Sequence, residues 1–447
     1  MALMISVSGI RGIFGTDLTP ENLTRFTAAF GSWAQNGTII VGRDTRVTGQ
    51  ICEDIVSATL QSVGCDVVKV GVASTPTVAM AVLKHQADGA IIISASHNPA
   101  EWNALKLLNG KSEFLNAEEG EEVIQISEEQ SYQYKKYDQI GSVETDTEAL
   151  DYHIQKILEL PYINRELIAS QDFSIAVDPV NGTGGVAIGA MLEALGVAEI
   201  YMINEEPNGL FAHNPEPLPE HLQDLCELVK EHDCDLGIVT DPDADRLALV
   251  TNKGNPFGEE YTQAAAFDFI FDKKEGDCAT NLSSSRVSED VAQKYGRRCH
   301  RSAVGEINVV NKMKEVDAAI GGEGNGGVIN PDLHYGRDSL VGVAMVLQLL
   351  AERGLTADEY RNSLPDYEMR KDKMPLADID GDAILAKTES LYQDYDPDTI
   401  DGVKIDFEDG WVHLRKSNTE PIIRVYSEGI TAQKAKELAE KVVREIQ

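Results

Sequence analysis

Three aspartates stand at alternate positions in Asp241-Pro242-Asp243-Ala244-Asp245, directly after an apolar run, and Arg246 follows them. Alternate carboxylates leaving a strand can wrap one hard divalent cation through oxygen ligands. The same spacing opens an EF-hand loop, but here the sixth position is Arg246 instead of Gly and the twelfth is Asn252 instead of Glu. Three carboxylates with coordination positions to spare suit Mg2+ shared with a phosphate oxygen, and a neighbouring Arg can clamp that phosphate. A second cluster, Ser94-Ala95-Ser96-His97-Asn98-Pro99, holds two hydroxyls and an imidazole after another apolar run, with Asn98-Pro99 enforcing extended or turn backbone. It lacks the G-x-S-x-G elbow of an α/β-hydrolase. Gly322-x-Gly324-x-x-Gly327 fits the dinucleotide fingerprint literally, yet Pro331 follows and no helix opens on the third glycine. A flexible loop offering Glu323 and Asn325 to sugar hydroxyls is its better use, and no P-loop sequence occurs. Near the end, Arg415-Lys416-Ser417-Asn418-Thr419-Glu420-Pro421 and then Arg424 gather cations, hydroxyls, an amide and turn N–H groups into a phosphate cradle. Taken singly, each cluster also reads as an acidic turn, a structural serine or a polar hairpin.

The elements that must position these clusters repeat. Strands at 38–41, 65–70 and 90–93 alternate with helices at 51–63 and 76–85, and the series ends in the serine cluster. Strands at 174–177, 199–203 and 236–239 with helices at 185–195 and 219–232 end in the aspartates. Strands at 278–282, 298–302 and 318–320 with helices at 287–295 and 307–316 end in the glycine loop. Such β-α-β-α-β series predict α/β layering, with ligands at the carboxyl ends of strands, and three loops meeting at one cleft is the economical reading. Beyond Pro365 the pattern becomes a smaller α+β unit, with strands at 403–407, 410–414 and 422–426 and a helix at 432–446. The charged runs 116–129 and 394–401 read as solvated faces or linkers without chemistry.

Composition narrows the classes. Lys and Arg total 39 against 74 Asp and Glu, a formal charge of −35 over 447 residues, and no basic run exists to bind nucleic acid. Hydrophobic residues at 42% and charge spread along the chain predict folded domains, not a disordered acidic tail. No apolar run of ~18 residues predicts a membrane span, and the first residues lack a secretory signal. The six cysteines have no C-x-x-C spacing and are expected as reduced core thiols, so the expected compartment is the cytoplasm.

With Ser8-Gly9-Ile10-Arg11-Gly12, and Asn103 and Lys106 after the serine cluster, the chain carries five loops in register. It resembles the α-D-phosphohexomutase superfamily over essentially its whole length. The resemblance implies an α/β fold of three similar mixed-sheet domains, at 1–148, 149–254 and 255–367, plus a TATA-binding-protein-like α+β domain at 368–447. It implies interconversion of hexose 6- and 1-phosphates through phosphorylated Ser96 and a bisphosphorylated sugar, with hexose 1,6-bisphosphate as activator and intermediate. Ser96, Asp241, Asp243 and Asp245 would bind Mg2+, and Arg11, Lys106 and His97 would serve catalysis beside Ser96. Arg246, Glu323, Asn325, Arg415, Ser417, Asn418, Thr419 and Arg424 would bind the substrate. The expected partner is a small phosphosugar, with no nucleic acid or membrane, and the expected state a monomer or homodimer. In the sugar loop Asn325 and Gly327 replace the common Ser and His, Ala104 stands where Gly is common, and Lys416 where Pro or Ala is usual. Ser-Ala-Ser before His97 leans towards the phosphoglucosamine mutases, whereas the Asn-Thr-Glu-Pro tail loop leans towards phosphomannomutase/phosphoglucomutase; glucosamine phosphate is the expected substrate. A metal-dependent sugar phosphatase, a non-catalytic sugar-phosphate sensor and, last, a dinucleotide oxidoreductase are the readings from other classes.

Overall fold

Strands Thr38–Arg43, Asp66–Val72 and Gly89–Ile93 run parallel, with Thr38–Arg43 in the middle. Their near-continuous apolar sequences mark strands covered on both faces. Ile39, Val41, Ile91 and Ile93 enter one buried cluster, while Ile40, Ala90 and Ile92 enter another on the opposite face, as the two-residue strand period requires. The computed structural model describes residues 3–6, 9–376, 380–417 and 422–446. The chain divides into two compact units, Met1–Thr262 with Gly326–Tyr360, and Gln263–Asn325 with Arg361–Gln447.

In the first unit a seven-stranded mixed sheet has the order Met4–Ser6, Gly9–Ile13, Trp102–Asn109, Gly89–Ile93, Thr38–Arg43, Asp66–Val72, Val143–Thr145. The serine cluster links Gly89–Ile93 to Trp102–Asn109, which returns antiparallel. The aspartate cluster does the same in the next sheet, between Leu236–Thr240 and the antiparallel Leu247–Thr251. Both clusters are therefore hairpin-like links at the carboxyl end of a parallel strand. The helix Pro20–Trp33 begins with a Thr19 cap and a proline in its first turn, and covers the first sheet with Gly49–Val63. The run at 116–129 is the helix Ala117–Glu129, closed by an Asn116–Glu119 capping box and burying Val123 beneath an acidic outer face. The helix expected at 219–232 splits into the 3-10 turn Pro219–His221 and Gln223–Glu231, because Leu222 between them leaves helical geometry at φ −99° and ψ 11°. Ser339–Arg353 is apolar all round and buried along nearly its whole length.

In the second unit, Cys278–Asn281 pairs in parallel with Cys299–Ser302 and Ile320–Glu323. The last of these lies three residues beyond the expected end, so Gly321, Gly322 and Glu323 belong to a strand, not a flexible loop. Gly321 lets the helix Glu306–Val316 press onto that strand: a Cβ there would meet Met313 Sδ at 2.2 Å. The final sheet is antiparallel, in the order Glu368–Pro375, Ile422–Gly429, Gly410–Lys416, Val403–Phe407, and carries the helices Gly381–Leu391 and Ala432–Ile446. Among the described residues no single helix is long and apolar enough to cross a membrane. All six cysteines are free; four are buried, and Cys226 and Cys299 are half-buried.

Candidate functional site

The serine and aspartate loops meet in the first unit. Ser96 Oγ donates to Asp241 Oδ2 at 2.6 Å and lies 3.3 Å from His97 Nδ1. Asp241 Oδ1 accepts from the backbone N–H groups of Asp245 and Arg246, both at 3.2 Å, which folds the loop back on itself. Asp243 Oδ2 accepts from Lys106 Nζ and from Thr75 Oγ1, each at 2.5 Å. Asp245 Oδ2 accepts from Arg337 Nη2 at 2.7 Å and from Lys106 at 3.4 Å. All three aspartates are fully buried, and ligand atoms from the three lie within 4.8 Å of one another. Among the described residues, Asp243 Oδ1 and Asp245 Oδ1 have no hydrogen-bond partner. Buried carboxylate oxygens left bare are costly unless a cation takes them, so the donor set fits one oxygen-liganded divalent ion.

Electrostatics follow from the crowding. Burial, then Asp245 and Asp243, push the Asp241 carboxyl well above the usual carboxylate range. Burial acts on Asp243 in the same sense, but Lys106 outweighs it and holds that carboxyl low. Lys106, though buried, is kept charged by Asp243 and Asp245. Arg246 first, then burial, drive the His97 imidazole well below its ordinary range, so it is neutral at pH 7. Burial also lowers the Arg11 guanidinium, whose Nη1 donates to Asn98 Oδ1 at 2.6 Å. Arg246 Nη1 lies 3.6 Å from Glu216.

Ser96 adopts φ +48°, a left-handed conformation uncommon for a residue with a side chain. A buried guanidinium holds it there. Arg46 donates through Nη2 to the carbonyls of Ser96 (2.6 Å) and Asn98 (2.7 Å), and through Nη1 to those of Pro99 (2.6 Å) and Trp102 (3.1 Å). Its Nε pairs with Asp44 Oδ2 at 3.0 Å, and the Phe211 ring lies 5.0 Å from its guanidinium carbon. Sequence reasoning missed Arg46, Thr75 and Arg337. Arg46 follows the carboxyl end of Thr38–Arg43, where ligand loops collect, and that position was its available signal.

In the second unit, Glu323 Oε1 accepts from Asn281 Nδ2 (2.9 Å) and the Gly305 N–H (3.3 Å), and the Gly324 N–H donates to Ser284 Oγ. Asn325 closes this unit's glycine segment. Arg415 and Arg424 face each other as register partners on neighbouring strands, with Arg424 Nη1 3.2 Å from the Tyr426 hydroxyl. The Ser417 N–H donates to the Ile422 carbonyl. Asn418 and Thr419 lie outside the described residues. Asp401, within a run read as linker, ties these parts together. Its Oδ2 accepts from the Val304 N–H at 3.0 Å and lies 3.8 Å from Arg415 Nη1. Successive amides of residues 304 and 305 thus join the strand bearing Arg415 to Glu323.

The sequence pattern of phosphoglucomutase/phosphomannomutase matches in four successive parts: alpha/beta/alpha domain I at residues 3–134, domain II at 151–254, domain III at 258–367 and the C-terminal domain at 370–445. The phosphoglucomutase/phosphomannomutase of Thermococcus kodakarensis is 35% identical, over 98% of this chain and 97% of that protein. A probable phosphoglucosamine mutase of Methanopyrus kandleri is 34% identical, over 99% and 97%. In fold, the chain is similar to a phosphoglucomutase/phosphomannomutase family protein of Burkholderia thailandensis, with TM-score 0.84 and 24% identity over 99% and 98% of the two chains. It is also similar to the Aspergillus fumigatus N-acetylphosphoglucosamine mutase solved with GlcNAc-6P and magnesium, with TM-score 0.60 and 15% identity over 100% and 96%.

Proposed function

The chain belongs to the phosphoglucomutase/phosphomannomutase family and is a phosphohexomutase; on that premise we propose that it interconverts glucosamine 6-phosphate and glucosamine 1-phosphate through phosphorylated Ser96. The observation that carries this reading is the Ser96 hydroxyl, 2.6 Å from Asp241 in a loop whose other two aspartates keep bare buried oxygens. PhosphoSer96 passes its phosphoryl group to the free hydroxyl of the sugar phosphate. The P–O bond to Ser96 breaks, one to the sugar oxygen forms, the sugar hydroxyl loses its proton to a base and Ser96 Oγ gains one. The resulting hexose 1,6-bisphosphate turns over and returns its other phosphoryl group to Ser96.

Such transfers depend on positioning and charge neutralisation more than on covalent chemistry. Asp241, Asp243, Asp245 and a Ser96 oxygen would hold Mg2+, which when bound would supply Lewis-acid stabilisation of the transferring group. Lys106 adds a fixed positive charge, and Arg11 and Arg246 attract the phosphoryl oxygens. His97 is neutral and places Nδ1 3.3 Å from Ser96 Oγ, which suits proton transfer there. Glu323 and Asn325 are assigned to the sugar, where a carboxylate suits the ammonium group of glucosamine. Arg415, Ser417, Asn418, Thr419 and Arg424 are assigned to the phosphate that is not reacting. The free thiols accord with a reducing cytoplasm, and a monomer or homodimer suffices for every role named.

Ser96→Ala is expected to abolish mutase turnover in a coupled assay, together with the phosphoryl mass on the peptide containing residue 96. Near-normal turnover of that variant would sink the mechanism. Release of inorganic phosphate matching substrate loss would identify a phosphatase instead. Comparing kcat/KM for glucosamine, glucose and mannose phosphates, with hexose 1,6-bisphosphate present, decides the sugar.

A further inference from the structure

The aspartates at 243 and 245 divide their oxygens in the same way. Each gives Oδ2 to a cation of the protein, the buried Lys106 for Asp243 and the half-buried Arg337 for Asp245. Each keeps Oδ1 without a hydrogen bond among the described residues. A carboxylate held by one oxygen has its plane fixed, so the other oxygen meets a metal in one orientation only.

Arg337 is itself held by a rigid frame. It precedes the helix Ser339–Arg353, whose cap Asp338 accepts through Oδ1 from the N–H groups of Leu340 (2.9 Å) and Val341 (3.2 Å). Asp338 Oδ2 receives His153 Nε2 at 2.8 Å and His334 Nε2 at 3.2 Å. His153 comes from the helix Ala149–Leu158, and its Nδ1 lies 3.1 Å from Thr77 Oγ1. Thr77 belongs to the helix Thr75–His85, whose first residue bonds Asp243. The circuit therefore closes: Asp243, Thr75, Thr77, His153, Asp338, Arg337, Asp245. Ser339 Oγ adds a bond of 2.6 Å to the carbonyl of Ala244, between the two aspartates.

His153, His334 and Asp338 are buried with potential ligand atoms within 4.8 Å of one another, a spacing that could hold a metal in its own right. The bonding opposes that. Both imidazoles already use Nε2 on one Asp338 oxygen, the cap occupies the other, and the buried His334 Nδ1 has no hydrogen-bond partner among the described residues. A metal-bound histidine donates from its second nitrogen to a fixed acceptor. The cluster is a brace.

We propose that Arg337 is a positioning residue for the divalent cation of the aspartate loop, fixing the Asp245 carboxylate for coordination, and that the His153–Asp338–His334 brace fixes Arg337. This rests on the aspartates being the metal site. The probe is Mn2+, titrated calorimetrically into the full-length protein. Arg337→Met is expected to raise the Mn2+ Kd about 10–100-fold and to lower kcat with sugar KM little changed, while Arg337→Lys recovers part of both. Removing a positive charge beside a cation site should by simple Coulomb attraction tighten binding, so weakening reports lost orientation. An unchanged or tighter Kd in Arg337→Met overturns the proposal. If that variant does not fold, Ser339→Ala decides: a Kd raised several-fold supports the frame, and an unchanged one overturns it. Equal Mn2+ affinity in the unaltered protein and in Asp243→Asn would mean that the aspartates are not the metal site. That failure of the underlying reading is visible without any Arg337 variant.

Discussion

Ser96 and Ala244, at the centres of the serine and aspartate loops, both sit in the left-handed region, at φ +48° and +50°. For residues with a Cβ this costs roughly 1–2 kcal/mol each, and it persists only where surrounding bonds over-determine it. At Ser96 those bonds come from Arg46, whose planar fork reaches four carbonyls at once, which a lysine ammonium cannot reproduce. Arg46→Lys is therefore expected to keep the fold and substrate KM but to lower kcat about 10–100-fold, the scale of a misplacement near 1 Å; unchanged kcat would show that the loop holds itself. Ser96, His97 and the aspartates were legible in the sequence because their spacing is local. Arg46 and Arg337 were not, since they act across 50 and 92 residues on Ser96 and Asp245. Nothing in their own neighbourhoods names those partners.

At the scale of elements, the final antiparallel sheet shows how far periodicity reaches. Three of its strands carry buried side chains, in continuous runs in Val403–Phe407 and Gly410–Lys416 and alternating in the first part of Ile422–Gly429, and were expected near their observed places. The fourth, Glu368–Pro375, is a charged edge strand with only Met374 buried, so it offered no apolar pattern to read. The strand Gly410–Lys416 also carries a pH dependence. His413 Nε2 lies 2.6 Å from the Asp401 carbonyl and Nδ1 lies 3.0 Å from Ser283 Oγ, which fits a neutral imidazole donating to the first and accepting from the second. Burial lowers its pKa from 6.5 to about 4. The unfolded chain binds this proton more readily, so the contribution to stability is complete above pH 6.5 and is lost as pH falls from there towards 4. The loss is at most about 3 kcal/mol. Thermal melts should show a lower Tm at pH 5 than at pH 7, with a smaller difference in His413→Asn. Equal pH dependence in the two proteins would remove His413 as the cause.

Across the whole molecule, a formal charge of −35 opposes the approach of a dianionic sugar phosphate. Arg11, Arg46, Lys106, Arg246 and Arg337 supply the local exception around Ser96. Screening separates the two effects, because the Debye length falls from about 30 Å at 0.01 M salt to about 8 Å at 0.15 M. Distant carboxylates are silenced over that range, while cations in contact with the ligand are not. Raising salt from about 0.01 to 0.15 M is expected to increase kcat/KM and leave kcat unchanged; a fall in kcat/KM would mean that the local cations dominate approach. The sequence by itself determined the α/β alternation, the clusters whose residue types could do chemistry and the kinds of ligand atom they offer, because periodicity and turn chemistry act between residues a few positions apart. Only the tertiary structure decided which oxygen of each aspartate is left for a cation, which conformation Ser96 is held in, and that Glu323 stands on a strand. Those outcomes depend on side chains brought together from as far as 185 residues apart, as His153 and Asp338 are. Packing sets such meetings, and local spacing carries no record of them.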